Sequence, residues 1–284
     1  MNSLVGMIIP DGMNQFFSAL ALQTQRQLAN MGIPMVVLNS DNSPDNEIQG
    51  VDLLLKKMNV EGIIFVSVGD NEEVYHQLRE SNIPIVIVDR EIPETENCDF
   101  VISNNKVGII EAVKYLVTLG HKKLGILKGL QNTDPGRIRY KAFLEAMDEC
   151  ELKHDPRLEF DGEFDFLSGT KAAEEIYNLS KGKRPTAVIS CNDFMAFGLL
   201  QGLARLEINV PNDISIIGVD DIPLCEWSNP KLTTIRQDTT QIAIWAAKYL
   251  VSRIAGECSD TPRLEWVEPR LIKRESVKIF GNKI

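Results

Sequence analysis

Short apolar runs rich in β-branched residues recur along the chain, and each is followed by a longer segment with helical periodicity. Most of these runs are apolar at consecutive positions, which is typical of parallel strands covered on both faces. Repeated strand–helix units of this kind predict an α/β fold with doubly wound parallel sheets. The predicted strands are Leu4–Ile9, Met35–Leu38, Ile63–Val66, Ile85–Val88, Phe100–Ile102, Leu124–Leu127, Ala187–Ile189 and Ile214–Val219.

The helices between these strands carry start and stop signals. Ser43-Pro44 offers a side-chain acceptor at an N-cap and a proline at the first helical position, and Asp134-Pro135 repeats this pattern. Gly120 follows a helical segment as a C-terminal stop. One apolar stripe at helical spacing predicts a further helix late in the chain, and its members are Ile242, Trp245, Ala246, Tyr249, Leu250 and Ile254.

Polar residues follow five of the predicted strands at their carboxyl ends, which is where ligands bind in folds of this class. The clusters are Pro10-Asp11, Ser67 with Asp70, Asp89-Arg90, Cys191-Asn192-Asp193 and Asp220-Asp221. A carboxylate or an amide can form two hydrogen bonds in one plane, which suits the vicinal hydroxyls of a sugar ring. The pattern therefore predicts a site for a small polar ligand at these strand ends.

Each polar cluster also has a purely structural interpretation. Asp11, Asn192 and Asp193 are placed equally well to act as helix N-caps. Asp70 is typical of a solvated turn. A ligand role is favoured for Asp220, because a second aspartate follows it and capping by one would leave the other available.

Composition and charge narrow the function classes. The formal charge is −10, and such a surface repels phosphate backbones and anionic membranes, so this chain alone is expected to bind nucleic acid poorly. No apolar run approaches the ~18 residues that span a bilayer, and residues 1–9 lack the features of a signal peptide. The five cysteines are far apart, without a C-x-x-C pair, which favours reduced thiols in a cytoplasmic protein.

The sequence lacks the motifs of common enzyme classes. It contains no G-x-S-x-G elbow, no H-E-x-x-H, no G-x-x-x-x-G-K-[ST] loop, and no G-x-G-x-x-G after the first strand. Asp220 and Asp221 are an unsuitable catalytic pair, since neighbours on a strand point to opposite faces. Three dispersed histidines make a zinc site improbable. We therefore expect a protein that is not an enzyme and uses no cofactor or metal.

An ordered set of motifs resembles the effector-binding region of the lactose-repressor (LacI/GalR) family of bacterial transcription regulators. Any one motif is weak, whereas the set in this order is specific and covers essentially the whole chain. The motifs are GMIIPDGMNQFF from Gly6, Gly120-His121-Lys122-Lys123-Leu124-Gly125, Arg139 with Phe143 and Ala146-Met147, Cys191-Asn192-Asp193 with Met195-Ala196 and Gly198, Val210-Pro211, Asp213-Ile214-Ser215, Gly218-Val219-Asp220-Asp221, Leu232-Thr233-Thr234-Ile235 and Arg274-Glu275-Ser276.

The resemblance implies a fold like that of periplasmic sugar-binding proteins (type I), with two α/β subdomains joined by three crossings and the ligand between them. The N-terminal subdomain would comprise residues 1–103 and 238–266, and the C-terminal subdomain residues 104–237 and 267–284. The family's helix-turn-helix headpiece is expected to be absent from this chain, because none fits before a strand that starts near Leu4.

Seven residues are assigned to the effector site by the resemblance. Four would contact the effector and three would line its walls: Asp89, Arg139, Asn192 and Asp220 are the contacts, Asp11 and Phe16 the N-terminal wall, and Phe164 the C-terminal wall. Arg139 could hold a ring oxygen or two hydroxyls, or it could equally pair with Asp89 or Asp220. Phe16 and Phe164 could stack on a sugar or pack in the core, and Phe17 is assigned to packing.

The function that the resemblance implies is effector sensing and dimerisation in a bacterial transcription regulator. A small-molecule effector, with a sugar favoured, would shift the DNA-binding state of a cytoplasmic homodimer. Operator DNA would be contacted only through the headpiece, and no membrane would be involved. The alternatives are the solute-binding protein of a sugar ABC transporter, which would be an exported monomer, and a sugar- or nucleotide-modifying α/β enzyme.

Overall fold

The chain forms two compact units. A computed structural model describes residues 4–90, 98–257 and 261–281. Unit 1 comprises Met1–Ser103 and Asp238–Val267, and unit 2 comprises Asn104–Gln237 and Glu268–Ile284. The chain therefore passes from one unit to the other three times. Each unit contains its own six-stranded sheet with helices packed against it, numbered below along the chain.

Unit 1 is built around a sheet with the strand order β11-β5-β4-β3-β1-β2. The central strands are fully buried because their consecutive apolar residues meet helices on both faces. The strands are β1 (Val5–Ile9), β2 (Met35–Asn39), β3 (Gly62–Phe65), β4 (Ile85–Val88), β5 (Cys98–Ser103) and β11 (Leu264–Val267). The helices are α1 (Gln15–Asn30), α2 (Pro44–Asp52) with a π-helical turn at Leu53–Lys57, α3 (Glu72–Glu80) and α9 (Thr239–Ile254).

Unit 2 is built around a sheet with the strand order β12-β10-β9-β8-β6-β7. Its strands are β6 (Leu124–Leu127), β7 (Glu159–Phe160), β8 (Ala187–Ser190), β9 (Ser215–Asp220), β10 (Thr233–Arg236) and β12 (Arg270–Ile272). Its helices are α4 (Asn105–Thr118), α5 (Asp134–Glu149), α6 (Phe166–Asn178), α7 (Asp193–Arg205) and α8 (Leu224–Trp227), with 3₁₀ turns at Pro156–Leu158 and Lys181–Lys183.

The eight predicted strands are confirmed to within two residues at either end. The prediction of purely parallel sheets needs one correction: β12 pairs antiparallel with β10 at the edge of the unit 2 sheet. The reason is its connection, since β12 enters the sheet from β11 of unit 1 rather than from a helix of its own unit. The fold class itself, α/β with a doubly wound sheet in each unit, is as predicted.

The predicted helix signals are largely confirmed. Ser43 caps α2 by accepting from the N–H of Asn46, and Gly120 follows α4 with a φ of 88°. The cap of α5 is Thr133 rather than Asp134, because the Thr133 hydroxyl accepts from a backbone N–H three residues later. Among the helices in the described ranges, none combines the length and apolar character that crossing a bilayer requires.

Candidate functional site

Three residues assigned to the effector site lie together in unit 2. Arg139 projects from α5, Asn192 follows β8, and Asp220 ends β9. Because β8 and β9 are parallel neighbours, their carboxyl ends lie at the same edge of the sheet. We call Arg139, Asn192 and Asp220, with the neighbouring Phe164, the unit 2 cluster.

Arg139 connects the members of this cluster. Its side chain is buried, with 3% of the residue exposed. Nε donates to the amide oxygen of Asn105 at 2.7 Å, and Nη1 donates to the carbonyl oxygen of Cys191 at 2.5 Å. Nη2 lies 4.0 Å from Oδ1 of Asp220, which makes an ion pair too long for a direct hydrogen bond. Of the alternatives left open for Arg139, pairing with Asp220 is therefore present within unit 2.

Asn192 acts as a helix cap and also positions Phe164. Its Oδ1 accepts from the N–H of Met195, which caps α7, and its Nδ2 donates to the carbonyl oxygen of Phe164, both at 2.9 Å. Phe164 is half-buried and adopts a positive φ of 63°. Its ring lies over Gly129, where an added Cβ would come within 2.1 Å of the ring. The N-cap alternative for Asn192 is therefore confirmed, and the same amide places a ring at the cluster.

Asp220 is held in a backbone conformation that residues with a Cβ rarely adopt. Its φ is 119°, and that of Asp221 is 60°. Asp220 is buried, with 7% of the residue exposed, and its carboxylate accepts a hydrogen bond from Nε2 of Gln237 at 2.7 Å. Asp221 turns away to Arg236 and Arg274. The two adjacent acids therefore serve different partners, and only Asp220 belongs to the cluster.

The buried carboxylate of Asp193 holds the segment that follows Asp220. Its Oδ1 accepts from the hydroxyl of Thr234 at 2.6 Å, and its Oδ2 accepts from the N–H of Ile222 at 3.0 Å and from the thiol of Cys225 at 3.1 Å. The N-cap alternative for Asp193 is wrong, because Asn192 caps this helix. Asp193 instead fixes the turn through Asp220, since one of its donors lies only two residues further along the chain.

Burial is the largest influence on the pKa values of two groups beside the unit 2 cluster. It raises the pKa of Asp193, against the lowering effect of hydrogen bonds from Thr234, Cys225 and Ile222. It also raises the pKa of the Cys191 thiol to about 11, although the positive charge of Arg139 opposes this. Cys191 therefore stays a neutral thiol, and its contribution to the cluster is its backbone carbonyl.

Of the unit 1 residues assigned to the site, Asp11 and Asp89 follow the carboxyl ends of strands, and Phe16 lies in the first turn of α1. Asp89 follows β4, is buried and has a φ of 70°. Asp11 accepts from the N–H of Met13 at 2.8 Å, while Asn14 caps α1, so the N-cap alternative for Asp11 is wrong. Phe16 is buried and meets a second ring edge to face, with centroids 5.2 Å apart. The second ring is that of Phe17, and the contact agrees with the packing role assigned to Phe17. Ligand contacts from Asp11, Phe16 and Asp89 stay predictions.

The polar residues after β3 form hydrogen bonds within their own loop and its neighbourhood. The Ser67 hydroxyl donates to the carbonyl oxygen of Gly69 at 2.6 Å and lies 3.2 Å from the hydroxyl of Tyr75. Buried Glu47 accepts from the N–H of Val68 at 2.7 Å, and Asp70 is exposed, as a turn residue was predicted to be. Ser67 therefore serves its loop, and these residues are not assigned to the site.

Sequence reasoning missed three residues of the cluster's surroundings. Gln237 directly follows β10, so the strand-end rule would have found it had β10 been predicted. Asn105 lies two residues after β5, where the same rule could have been applied. Gly129 follows β6 and is required by the ring of Phe164, for which a single sequence carries no signal.

The cluster is suited to hydrogen bonding with a small polar molecule. The guanidinium of Arg139 donates, the carboxylate of Asp220 accepts, and the ring of Phe164 offers an apolar face. Among the residues in the described ranges, no group of three or more His, Cys, Asp or Glu side chains is arranged to hold a metal ion.

Comparison with known proteins identifies a matching family and a similar repressor. Residues 113–277, more than half of the chain, match the family described as "Periplasmic binding protein-like domain". The HTH-type transcriptional repressor PurR of Histophilus somni (strain 2336) is 30% identical over 275 residues, which cover 96% of this chain and 81% of that repressor.

Solved structures show the same fold. The LacI family transcriptional regulator from Enterococcus faecium, with bound ribose, is 26% identical with a TM-score of 0.87, covering 98% of this chain and 100% of that one. The transcription regulator CcpA of Lactococcus lactis has a TM-score of 0.88 at 23% identity, with coverage of 98% and 100%. The second likeness shows the fold alone.

Proposed function

Because the chain belongs to the LacI/GalR family of bacterial transcription regulators, we propose that Arg139, Asn192 and Asp220 bind its small-molecule effector. The observation that carries this proposal is the continuous set of contacts from Asp220 through Arg139 to Cys191, and from Asn192 to Phe164. Groups from four separate segments thus meet at the strand ends where ligands bind in this fold class.

The relatives are transcription regulators, which are not enzymes, so neither the enzyme alternative nor the transporter alternative is favoured. We propose a sugar as the effector. The Enterococcus faecium regulator, at 26% identity, contains ribose. The unit 2 cluster also combines a planar donor, a carboxylate and an aromatic ring, which suits a polyhydroxylated ring.

We further propose that the protein acts in the cytoplasm as a homodimer that binds operator DNA through a helix-turn-helix headpiece. These expectations rest on the family. The formal charge of −10 supports assigning DNA recognition to a separate part, because these 284 residues alone would repel a phosphate backbone. Sedimentation should give twice the chain mass of 31.8 kDa.

The effector site is tested by comparing two arginines of one helix. A thermal-shift screen of unphosphorylated pentoses, hexoses and disaccharides selects the sugar that raises Tm most. Calorimetry with that sugar then compares the wild type with Arg139→Gln and Arg137→Gln. Arg137 lies on the same helix but is exposed and paired with Asp134, so it is the matched control.

We expect Arg139→Gln to weaken binding of that sugar about 100-fold, since a buried charge-assisted contact is lost. Arg137→Gln should bind as the wild type does. Glutamine retains donors for Asn105 and Cys191, and far-UV circular dichroism confirms that the variant is folded. Unchanged affinity in a folded Arg139→Gln variant would refute the proposed site.

A further inference from the structure

We infer that Asp220 sets the charge selectivity of the effector site by neutralising Arg139, so that anionic molecules are rejected and uncharged hydroxyl-bearing molecules are accepted. This inference rests on the proposed function of the unit 2 cluster. It makes Asp220 a specificity-determining residue, with phosphorylated sugars and nucleotides as the excluded class. Four features of unit 2 support this inference.

The first feature is the buried ion pair itself. Arg139 and Asp220 are 3% and 7% exposed, and Nη2 and Oδ1 lie 4.0 Å apart. In a poorly solvated environment, charges at this separation act strongly on one another and on any third charge. A phosphate that approached Nη2 of the guanidinium would also come close to the carboxylate, 4.0 Å away. Attraction by Arg139 is thereby opposed by repulsion from Asp220.

The second feature is the pairing of neighbouring cations near the same sheet edge. Lys128, directly after β6, lies 2.8 Å from Asp161 and 3.5 Å from Glu159. Arg236, at the end of β10, lies 2.5 Å from Asp221. Recruiting either cation to a ligand phosphate would require breaking an existing pair. Neither therefore provides the unopposed positive charge that a phosphate needs.

The third feature is the occupation of the helix N-termini in this region by side chains of the protein. The N-terminus of α7 is capped by Asn192, and the carboxylate of Asp193 lies in its first turn. The N-terminus of α5 is capped by Thr133, with Asp134 in its first turn. The partial positive charge that makes such ends attractive to anions is therefore already compensated.

The fourth feature is the combination of a donor and an acceptor in one pair. A ligand hydroxyl can accept from the guanidinium of Arg139 and donate to the carboxylate of Asp220 at the same time. An ionised phosphate oxygen can only accept, so it would face the carboxylate without a proton between them. The pair thus favours hydroxyls by geometry as well as by charge.

The test uses inorganic phosphate as the probe, so it does not depend on knowing the effector. Thermal unfolding is followed in phosphate and in chloride at matched ionic strength for the wild type, Arg139→Gln, Asp220→Asn and Asp220→Asn/Arg139→Gln. Asparagine retains an acceptor for Gln237 and tolerates a positive φ, so Asp220→Asn is expected to fold. The double variant is the control that removes the guanidinium.

We expect no saturable phosphate effect in the wild type and a saturable rise in Tm of about 2–4 °C in Asp220→Asn. The double variant should lose that rise. A wild-type response to phosphate that Arg139→Gln abolishes would overturn the inference while leaving the site in place. Absence of any response in folded Asp220→Asn would also overturn it. The proposed function fails separately, through the sugar-affinity comparison of Arg139→Gln with Arg137→Gln.

Discussion

Gly218 lies directly against the carboxylate of Asp193: a Cβ at position 218 would be 2.0 Å from Asp193 Oδ1. The second neighbour of that Cβ would be the Leu232 side chain, at 3.1 Å. Gly218 and Asp193 are both buried in unit 2. The missing side chain on β9 is therefore what allows a carboxylate to be accommodated beside the strand that ends in Asp220.

We expect Gly218→Ala to lower the free energy of unfolding by about 2–3 kcal/mol, because Asp193 must move away from its hydrogen-bond partners to relieve the overlap. Urea unfolding monitored by circular dichroism measures this change. Gly182→Ala is the matched control in the same unit, since nothing lies within 4 Å of its Cβ. Similar losses in the two variants would contradict the prediction.

Asp193→Asn is expected to change how stability depends on pH. Burial raises the pKa of Asp193, so the folded protein binds the proton more tightly than the unfolded chain. The resulting stabilisation is complete below the ordinary aspartate pKa of about 3.8 and is lost as pH rises through the folded pKa. The variant has no such titration. Its unfolding free energy, relative to the wild type, should therefore increase from about pH 4 to pH 8.

Comparing Asp193→Asn with a second variant, Asp193→Ala, separates the effect of charge from that of hydrogen bonding at this position. The asparagine amide can donate to the Thr234 hydroxyl while its oxygen accepts from the N–H of Ile222, whereas Asp193→Ala leaves both groups without a partner. We expect the alanine variant to lose about 3 kcal/mol at every pH measured. A pH-independent difference between Asp193→Asn and the wild type would contradict the assigned pKa direction.

Asp99 of unit 1 should show the opposite pH dependence. Burial opposes its ionisation, but hydrogen bonds from Arg253 and Arg263, at 2.6–2.8 Å, outweigh it and lower the pKa of this carboxyl. The stabilisation is present above the ordinary value of about 3.8 and is lost as pH falls through the folded pKa.

Asp99→Asn should therefore lower the unfolding free energy at pH 7 by about 3 kcal/mol, with the deficit shrinking in acid. Asp52→Asn is the control in unit 1, because the Asp52–Lys56 pair is exposed and contributes little. Urea unfolding at neutral and acid pH measures both variants. An unchanged deficit between pH 7 and acid pH would count against this account.

Gly129→Ala is expected to weaken effector binding without unfolding the protein. An added Cβ would lie 2.1 Å from the ring of Phe164, which is half-buried and can turn away. If Phe164 lines the site as proposed, calorimetry with the screened sugar should show a loss of about tenfold, with Tm nearly unchanged. Unaltered affinity with a displaced ring would remove Phe164 from the site.

The fold was predictable where strands are buried on both faces, because consecutive apolar residues identify them. The four strands that were missed lack that signal. β10 contains Thr233 and Thr234, whose buried hydroxyls have partners inside the protein, and β11 exposes Leu264 and Trp266 at a sheet edge. β7 has only two residues, and β12 is a short antiparallel edge strand.

The site was predictable only in part for a similar reason. Asn192 and Asp220 follow strands, so local pattern finds them. Arg139 lies within a helix, where an arginine is ordinarily a surface residue, and only the family resemblance selects it. Asn192 and Asp193 are both buried, and their separate roles depend on which of them is the extended residue before α7 and which begins the helix. Two adjacent polar residues look alike in this respect before the chain is folded.

The discontinuous make-up of each unit has a consequence for synthesis on the ribosome. When residues 1–237 have been made, β1–β5 exist, but α9, which packs on β3, β4 and β5, and the edge strand β11 do not. The unit 1 sheet therefore lacks one of its covering helices and one edge strand until Val267 has emerged, after most of unit 2. A premature stop after Gln237 would release a nascent product whose unit 1 sheet still exposes the apolar surface that α9 covers to chaperones and proteases.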